Sequence, residues 1–410
     1  MLVSLAQLRT ISAMDYCTDV VIAGGGPAGL MTGFLLARAG VSVIVLEKHD
    51  DFLRDFRGDT IHPATQHLLD RIGLTEDFLA RDHADTPRIT LSWHGTEMTL
   101  AEFTHLRTSR ATMTFMPQWD FLDLLASAAA SLPAFRLLRS TRVDSLLRTG
   151  PRVTGVEATG PDGSVQIRAQ LVIGADGRDS TVRGLAGLTP RGRAAAMDVL
   201  WFRLAKDSTG DYASIQAGAG LIITLDRGTF LQVAHVIPAG GWSGTEEDMA
   251  QLRERITTIS RRMGRAVATL QPRDIHLLRV RLERLRRWYA DGVLCIGDAA
   301  HAMSPAAGVG VNLAIQDAVA TARILAPALR RGALRTRDLR RVQRRRSLPA
   351  RLTQRVQRAL QPALLSSREP EAPMPWTLRQ LHRHPRLARL TGRVVGIGFR
   401  PEYEAPPPSP

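Results

Sequence analysis

The sequence predicts an α/β fold of the open-sheet kind, and three short segments are the basis for this. The segments are rich in glycine and aspartate and span residues 24–29, 174–177 and 297–301. Each follows an apolar run of strand length and precedes a helical pattern. Segments in that position lie at the carboxyl edge of a sheet, where open α/β folds bind ligands. Three of them in this order favour a ligand site at that edge much more strongly than one would.

The first segment completes a βαβ unit suited to a nucleotide. A buried strand predicted over residues 19–23 turns through the glycines into a helix that runs to about Arg38. The helix amino terminus supplies free N–H groups and partial positive charge, which a pyrophosphate needs. Residues 41–46 predict the second strand, and Glu47 follows it where an acidic side chain hydrogen-bonds a ribose hydroxyl. The candidate nucleotide contacts are Gly24, Gly26, Pro27, Ala28, Gly29 and Glu47.

Together the three segments resemble one family. The glycine turn with residues 176–183 and 297–305 is similar to the single-component FAD-dependent aromatic hydroxylases, typified by para-hydroxybenzoate hydroxylase. The likeness covers about residues 19–330. It implies a discontinuous Rossmann-like FAD-binding domain of the GR2 type, with an inserted β-sheet substrate domain and C-terminal helices.

The resemblance also implies roles for individual residues. In the family, the second segment lies near the FAD pyrophosphate and is implicated in NAD(P)H binding. We carry those roles over to Asp176 and Arg183. The third segment holds the ribityl chain and the flavin ring, and this role falls on Asp298.

Two further stretches, residues 54–60 and 308–313, resemble a bacterial subset of the family that often acts in secondary metabolism. The family commonly has an arginine near the flavin and the nicotinamide cofactor. Arg57 is the candidate for it, Arg54 competes, and a solvated surface arginine is the alternative. Gln118 falls where the family places a Gln or Arg that contacts the cofactor.

The third segment supports a flavin site on physical grounds as well. Asp298 follows an apolar run over residues 292–296, and its carboxylate can accept hydrogen bonds from a polyol. After Pro305 a helix is predicted to run through Leu329, and its amino-terminal N–H groups could stabilise negative charge on reduced flavin. A helix cap after a strand is the alternative. The candidate contacts are Asp298, Pro305, Gly310, Val311 and Asn312.

The implied activity is that of an FAD-dependent monooxygenase with NADPH or NADH as co-substrate. In the family, one oxygen atom from O₂ reaches the substrate through a flavin C4a-hydroperoxide. The inserted strands are apolar, and no cluster of arginine or lysine on them is evidently placed to bind a carboxylate, which favours a bulky, poorly charged aromatic or polycyclic substrate. Hydroxylation is the leading expectation, while epoxidation and Baeyer–Villiger insertion stay open. The strands carry Trp93, Phe115, Trp201, Phe202 and Phe230.

No motif fixes a catalytic base. His62, His235 and Tyr212 are candidates, and each is more consistent with an ordinary packing or surface residue. His301 belongs to the family motif, where structural support beneath Asp298 is its expected role.

Two other functions stay open beside the monooxygenase. A prenyl-chain reductase of the same superfamily would use the same FAD motifs, although its usual PxxYxWxFP pattern is missing. A flavin-binding accessory protein without turnover is the second. A halogenase is disfavoured because the WxWxIP stretch is missing and Lys48 and Lys206 are the only lysines.

Composition fits a large globular chain. The 410 residues are 44% hydrophobic, enough for a sizeable core and two domains. Cys17 and Cys295 are the only cysteines, so neither a disulfide framework nor a metal site is expected, and a reducing cytoplasm fits. Residues 1–13 lack the features of a signal peptide, and no apolar run looks long enough to cross a bilayer.

The formal net charge of +15 does not require a polyanionic partner. The basic residues are nearly all arginine, and without interleaved aromatic residues they do not indicate nucleic-acid binding. In the basic region 330–358, Pro349 is expected to break the helix. The stripe Leu352, Val356 and Leu360 then predicts an apolar face packed on the cofactor domain. Weak contact of this region and residues 387–397 with an anionic membrane surface is the second interpretation. A monomer or a homodimer is expected.

The interruptions predict the domain organisation. The FAD-binding domain is expected from residues 15–87, 118–190 and 291–363, and the substrate domain from 88–117 and 191–290. A C-terminal helical segment and a disordered tail are expected over 364–410. The strands of both insertions are expected to form one sheet, and they are predicted over residues 89–93, 113–116, 199–204, 221–225 and 230–234.

Overall fold

Strands and helices alternate along most of the chain. The structure, a computed structural model, describes residues 14–53, 60–206, 214–218, 220–366, 373–404 and 406. The helices of these residues are α1 (Pro27–Arg38), α2 (Pro63–Ile72), α3 (Thr75–Leu79), α4 (Gln118–Ala130), α5 (Thr181–Leu185), α6 (Glu246–Ile259), α7 (Gly264–Ala268), α8 (Val309–Leu329), α9 (Thr336–Ser366), α10 (Trp376–Arg383) and α11 (Leu387–Gly396).

The strands are β1 (Met14–Ala23), β2 (Val43–Leu46), β3 (Thr60–Ile61), β4 (Ala84–Thr86), β5 (Arg88–Trp93), β6 (Thr96–Glu102), β7 (Met113–Phe115), β8 (Phe135–Leu138), β9 (Arg142–Thr149), β10 (Arg152–Gly160), β11 (Gly163–Gly174), β12 (Pro190–Ala205), β13 (Ser214–Ala217), β14 (Leu221–Asp226), β15 (Phe230–Pro238), β16 (His276–Leu285), β17 (Tyr289–Ala290) and β18 (Val293–Cys295). They form sheets of eight, seven and three strands.

The eight-stranded sheet has the order β17-β18-β11-β1-β2-β8, with β10 and β9 continuing from β11. Five consecutive strands of this order, β18, β11, β1, β2 and β8, are mutually parallel. They are apolar on both faces because both faces are covered. Helices α1, α4 and α8 pack on one face, and β9, β10 and α5 pack on the other. All four residues of β2 are accordingly buried.

The seven-stranded sheet has the order β16-β12-β15-β14-β13-β5-β6. Side chains alternate between its faces, as the strand period of two requires. One face packs under α6 and α7 and includes Leu200, Phe202 and Val233. The other is a second apolar cluster, against which residues near the end of α9 and in α10 pack. The expected α/β fold with an inserted sheet is confirmed. The numbered domain boundaries stay a prediction.

One predicted strand joins a different sheet. Residues 113–116 were expected in the inserted sheet, but β7 pairs with β3 and β4 in the three-stranded sheet. Its partners are distant in sequence, and strand pairing across such a distance leaves no local pattern. A turn at His94 and Gly95 joins β5 to β6, and both residues have positive φ.

Helix α9 corrects two expectations. It continues through Pro349, whose ring is buried, so packing offsets the cost of one missing hydrogen bond, about 3 kcal/mol or more. Its inward face carries glutamines: Gln354 donates from Nε2 to Ala302 O at 3.0 Å. Val356 and Leu360 are 40% and 38% exposed, so the apolar stripe does not form the packed face. Glutamine can satisfy loop carbonyls and leucine cannot. The predicted membrane-surface contact stays a prediction.

Helix α8 corrects a third expectation. Among the helices that the structure describes, it is long and apolar enough to match a membrane span by length and composition. However, 78% of that window is buried inside the protein, so α8 serves as a central packing helix. The disordered tail, predicted over residues 405–410, lies outside the described residues except for Pro406.

Candidate cofactor-binding site

The three glycine- and aspartate-rich segments meet at one sheet edge, as predicted. Ala23 at the end of β1 is in register with Leu46 and with Gly174, and Gly174 is in register with Cys295. Backbone hydrogen bonds continue past the strand ends, from Ala175 N to Ala23 O at 2.8 Å. The segments that follow these strands are therefore neighbours in space.

The glycine turn leaves open space in front of α1. Gly24 has φ of +103°, and a Cβ there would lie 2.4 Å from Ala175 O. A Cβ on Gly29 would lie 1.9 Å from Gly24 O, so both positions require glycine for packing. Gly26 differs, because a Cβ there would meet no described atom within 4 Å. Pro27 is the first helical residue, and Ala28 follows it, so Gly26 borders the open amino end of α1.

Glu47 is held in place at the end of β2. It is 1% exposed, its Oε2 accepts a hydrogen bond from Gly25 N at 2.8 Å, and its Oε1 accepts one from His49 N at 3.0 Å. These bonds fix the carboxylate beside the glycine turn. Its contact with a ribose stays a prediction.

Asp176 and Arg183 build the loop after β11. Asp176 Oδ1 accepts a hydrogen bond from Ser180 Oγ, and Oδ2 accepts one from Val182 N at 3.0 Å, so its carboxylate caps α5. Arg183 donates to Arg178 O at 2.7 Å and to Ala299 O at 3.2 Å. Any contribution of Asp176 to nucleotide binding therefore comes through the loop that it shapes.

Asp298 is paired with an arginine that sequence reasoning missed. Arg178 Nε donates to Asp298 Oδ2 at 3.0 Å, and its second terminal nitrogen donates to Met303 O at 3.3 Å. Asp298 Oδ1 accepts no hydrogen bond from the part of the chain that the structure describes, and the side chain is 32% exposed. The carboxylate is thus oriented and still has an oxygen for a hydroxyl ligand.

The start of α8 combines a left-handed turn with a buried anchor. Ala307 and Gly308 have φ of +62° and +60°, just before the helix. The anchor is Asn312: its Oδ1 accepts from His62 N and Thr65 Oγ1, both at 2.8 Å. Its Nδ2 donates to Thr60 O and Gly308 O. Asn312 therefore holds the turn, and any contact to a cofactor from here falls to backbone groups.

The other predicted contacts around this turn have different surroundings. Pro305 begins the turn, and Val311 is 7% exposed within α8. A Cβ on Gly310 would meet no described atom within 4 Å, so Gly310 borders open space as Gly26 does. Gln118 is the first residue of α4 and is half-buried. Arg57 and Arg54 lie outside the described residues.

The two candidate bases that the structure describes are buried. His62 and His235 are each 1% exposed, and Tyr212 lies outside the described residues. His62 Nδ1 lies 2.8 Å from Val395 O, and burial lowers the pKa of His62 to about 4. His62 is therefore a neutral packing residue near neutral pH.

The comparison with known proteins agrees with this geometry. A family model described as an FAD binding domain matches residues 17–356. The chain belongs to that family. The 6-methylpretetramide 4-monooxygenase of Streptomyces rimosus is 34% identical to this flavoprotein over 345 residues, 83% of this chain and 82% of that enzyme.

Solved structures show the same fold. An anhydrotetracycline hydroxylase from Streptomyces rimosus matches with a TM-score of 0.73 and 25% identity, over 93% of this chain and 76% of that one. A Diels-Alderase in the biosynthetic pathway of pyrroindomycins matches with a TM-score of 0.73 and 25% identity, over 92% and 80%. FAD is the cofactor of this flavoprotein, and FAD-dependent monooxygenase is its enzyme class.

The residues fit FAD. Glu47 follows β2, the open space at Gly26 follows β1, and Asp298, with one carboxylate oxygen available, follows β18, so these groups lie along one sheet edge. Gly310 borders open space at the start of α8. Sequence reasoning missed two residues. Arg178 follows Asp176-Gly177 directly, and Asp317 accepts a hydrogen bond from Gly297 N at 3.1 Å. The signal for Asp317 was present, because it is the only acidic residue in the apolar helix α8.

Substitutions at Gly26 and Asp298 are expected to weaken FAD binding by different routes. A Cβ at position 26 meets no described atom within 4 Å, and the Gly26→Val side chain fills the space before α1, so we expect a rise in the FAD Kd of about 100-fold or more with an unchanged fold. Asp298→Ala removes one hydrogen-bond acceptor for the ribityl chain, so we expect the FAD Kd to rise about tenfold.

The measurement is titration of FAD into the FAD-free full chain, with circular dichroism as the fold control. Gly184→Val is the matched control, because that glycine also has open space around it but lies in α5. Unchanged FAD affinity in both Gly26→Val and Asp298→Ala would contradict this placement of the cofactor.

Burial of His62 predicts a pH-dependent stability. The unfolded chain takes up a proton on His62 as the pH falls below the ordinary pKa of 6.5, whereas the folded chain resists until about 4. The free energy of unfolding therefore decreases as the pH falls from 6.5 to about 4, by about 3 kcal/mol in total. His62→Asn should remove that part of the pH dependence in urea unfolding. The exposed His382→Asn should keep it, and equal slopes in all three proteins would show the assignment to be wrong.

Proposed function

We propose that this flavoprotein hydroxylates a bulky polycyclic aromatic compound in bacterial secondary metabolism, with NADPH or NADH as electron donor. The observation that carries the proposal is the junction of the cofactor edge with an apolar sheet face. Strand β16 of the seven-stranded sheet reaches the cofactor turn, where Leu285 N donates to Ala300 O at 2.7 Å. The relatives named for 6-methylpretetramide and anhydrotetracycline support a substrate of this size.

FAD supplies the redox and oxygen chemistry when bound. The chain's own residues would bind and orient it. Glu47 would hold the adenosine ribose, the amino end of α1 the pyrophosphate, and Asp298 the ribityl hydroxyls. The amino end of α8 would place backbone N–H groups near the ring and stabilise negative charge there. Gln118 and Arg57 are further proposed contacts.

A basic pocket next to Asp298 supports binding of a nicotinamide dinucleotide. It has a volume of about 390 Å³, and its lining consists of Arg178, Asp179, Leu277, Leu278, Arg279 and Arg281. Asp179 accepts from Arg281 at 2.6 Å, which leaves the pocket positive overall. Phosphate groups suit guanidinium donors. We assign this pocket to the phosphates of NADPH or NADH.

The apolar face of the seven-stranded sheet supports an aromatic substrate. Trp201, Ile223 and Ala234 share this face with Val199 and Val236. Trp201 also buries an indole N–H that has no acceptor among the described residues. A carbonyl or hydroxyl oxygen of a substrate would satisfy that donor, because buried N–H groups are normally paired. The face thus combines apolar area with one orienting group.

A second candidate function rests on the Diels-Alderase among the structural relatives. That protein has the same fold at 25% identity and is named for a cyclisation, which involves no net oxidation. A flavin-containing cyclase is therefore the alternative to the hydroxylase. The two differ in whether O₂ and reduced nicotinamide are consumed.

Turnover assays test the hydroxylase proposal directly. We expect the purified chain to contain FAD and to oxidise NADPH or NADH faster when a polycyclic aromatic polyketide is added. Label from isotopic O₂ should appear in the product as one oxygen atom. Gly26→Val, which should lack FAD, is the matched inactive control. A product of unchanged mass without O₂ uptake would favour the cyclase, and a product with two added hydrogens would favour a prenyl-type reductase.

The basic pocket has its own test. Arg279→Ala and Arg281→Ala each remove a charged donor, so we expect the KM for NADPH or NADH to rise about tenfold while FAD content stays unchanged. Arg261→Ala, an exposed arginine in the same region of sequence, is the control. Stopped-flow reduction of the bound flavin at varied NADPH gives the comparison. If both pocket variants reduce with wild-type concentration dependence, the pocket binds something else.

A further inference from the structure

Four ionisable side chains are almost completely buried beneath the cofactor turn. Asp317 is 0%, Arg346 1%, His301 2% and Glu402 3% exposed. They come from α8, α9, the turn itself and the segment after α11. Apolar side chains of similar volume often stabilise a fold equally well or better than such a buried ionic cluster. Stability alone therefore gives no account of why these four are here.

Asp317 holds the turn from below. Its Oδ2 accepts a hydrogen bond from Gly297 N at 3.1 Å and lies 2.5 Å from His301 Nε2. His301 N also bonds to Gly297 O at 2.9 Å, which closes the turn. One carboxylate oxygen thus joins both ends of the short segment that presents Asp298. The expected supporting role of His301 agrees with these contacts.

Arg346 fixes Asp317 from the other side. Its Nε donates to Asp317 Oδ1 at 2.9 Å, so the carboxylate has partners on both oxygens. A terminal nitrogen of the same guanidinium donates to Arg400 O at 3.2 Å. Burial raises the pKa of Asp317, but His301 and Arg346 outweigh burial, and the pKa lies below its ordinary value. The carboxylate is charged at neutral pH.

Glu402 anchors the C-terminal segment onto this cluster. Its carboxylate accepts from Arg345 Nε and from Arg323 at 2.9 Å, and it lies 3.9 Å from Arg346. Its backbone is held by Gln316, whose Nε2 donates to Glu402 O at 3.2 Å and whose Oε1 accepts from Glu402 N. A residue close to the end of the chain is thereby connected to Asp317.

We propose that Asp317 is a positioning residue for the flavin site and that Arg346 and Glu402 maintain its position. Through Gly297 N and His301, Asp317 sets the conformation of the turn that directs Asp298 at the ribityl chain. Glu402 connects the C-terminal segment to Asp317 through Arg346. Residues 400–402 thereby affect the conformation of the cofactor turn without touching the cofactor. The proposal rests on the proposed role of Asp298.

The test uses the full chain, stripped of FAD and titrated with FAD. Asp317→Asn keeps the shape but removes the charge, and we expect the FAD Kd to rise about tenfold. Glu402→Gln acts one step further away, and we expect a rise of about threefold. Glu404→Gln is the matched control, because Glu404 is exposed and lies two residues along the chain.

A positioning role also predicts a change that loss of stability cannot produce. At saturating FAD, Asp317→Asn and Glu402→Gln should each change the absorption spectrum and the reduction potential of the bound flavin. For each quantity, the two variants should change in the same direction. Glu404→Gln should leave both at wild-type values. If Asp317→Asn does not fold, Glu402→Gln carries the test alone, because its side chain lies at the edge of the cluster.

Two results would overturn the proposal, and they differ from each other. Wild-type Kd, spectrum and potential in the Asp317 and Glu402 variants, with weak binding in Asp298→Ala, show that the cluster is merely structural. A lowered melting temperature without those changes has the same meaning. Wild-type FAD affinity in Asp298→Ala instead removes the placement of Asp298, and this proposal with it.

Discussion

The register of five parallel strands is the constraint on which the rest of the site depends. Strand β1 pairs with β2 on one side and β11 on the other, and β11 pairs with β18. The carboxyl ends of these four strands therefore lie at the same level of the sheet. The glycine turn, Glu47, the loop after β11 and the Asp298 turn all begin there. A slip of one residue in any pair would reverse which side chains face each side and move one of these segments away from the others.

Helix α8 converts that edge into a defined site. It is an apolar core helix, yet four of its buried residues are polar, and three of these reach a backbone group of a loop. Asn312 holds the turn that begins the helix, Asp317 holds Gly297, and Gln316 holds the backbone of Glu402. Because a buried polar group costs free energy unless it is paired, these contacts select one loop conformation.

Strand β16 links the cofactor edge to the inserted sheet. Leu278 and Val280 of this strand join the apolar face, and Arg279 and Arg281 line the basic pocket together with Leu277 and Leu278. One strand thus contributes to both proposed sites. Its last residue bonds to Ala300, so both sites are fixed relative to Asp298.

The sequence by itself determined the βαβ unit, the edge location of the three segments and helix α8 with its end at Leu329, because these follow from local periodicity and turn residues. It also determined the FAD cofactor, through motifs that residues 17–356 share with the family. Only the tertiary structure decided that Arg178 pairs with Asp298, that Asp317 meets Arg346, that glutamines form the packed face of α9 and that β7 leaves the inserted sheet. These features join residues far apart in sequence, and which distant groups meet depends on how the elements pack, for which local propensity carries no signal.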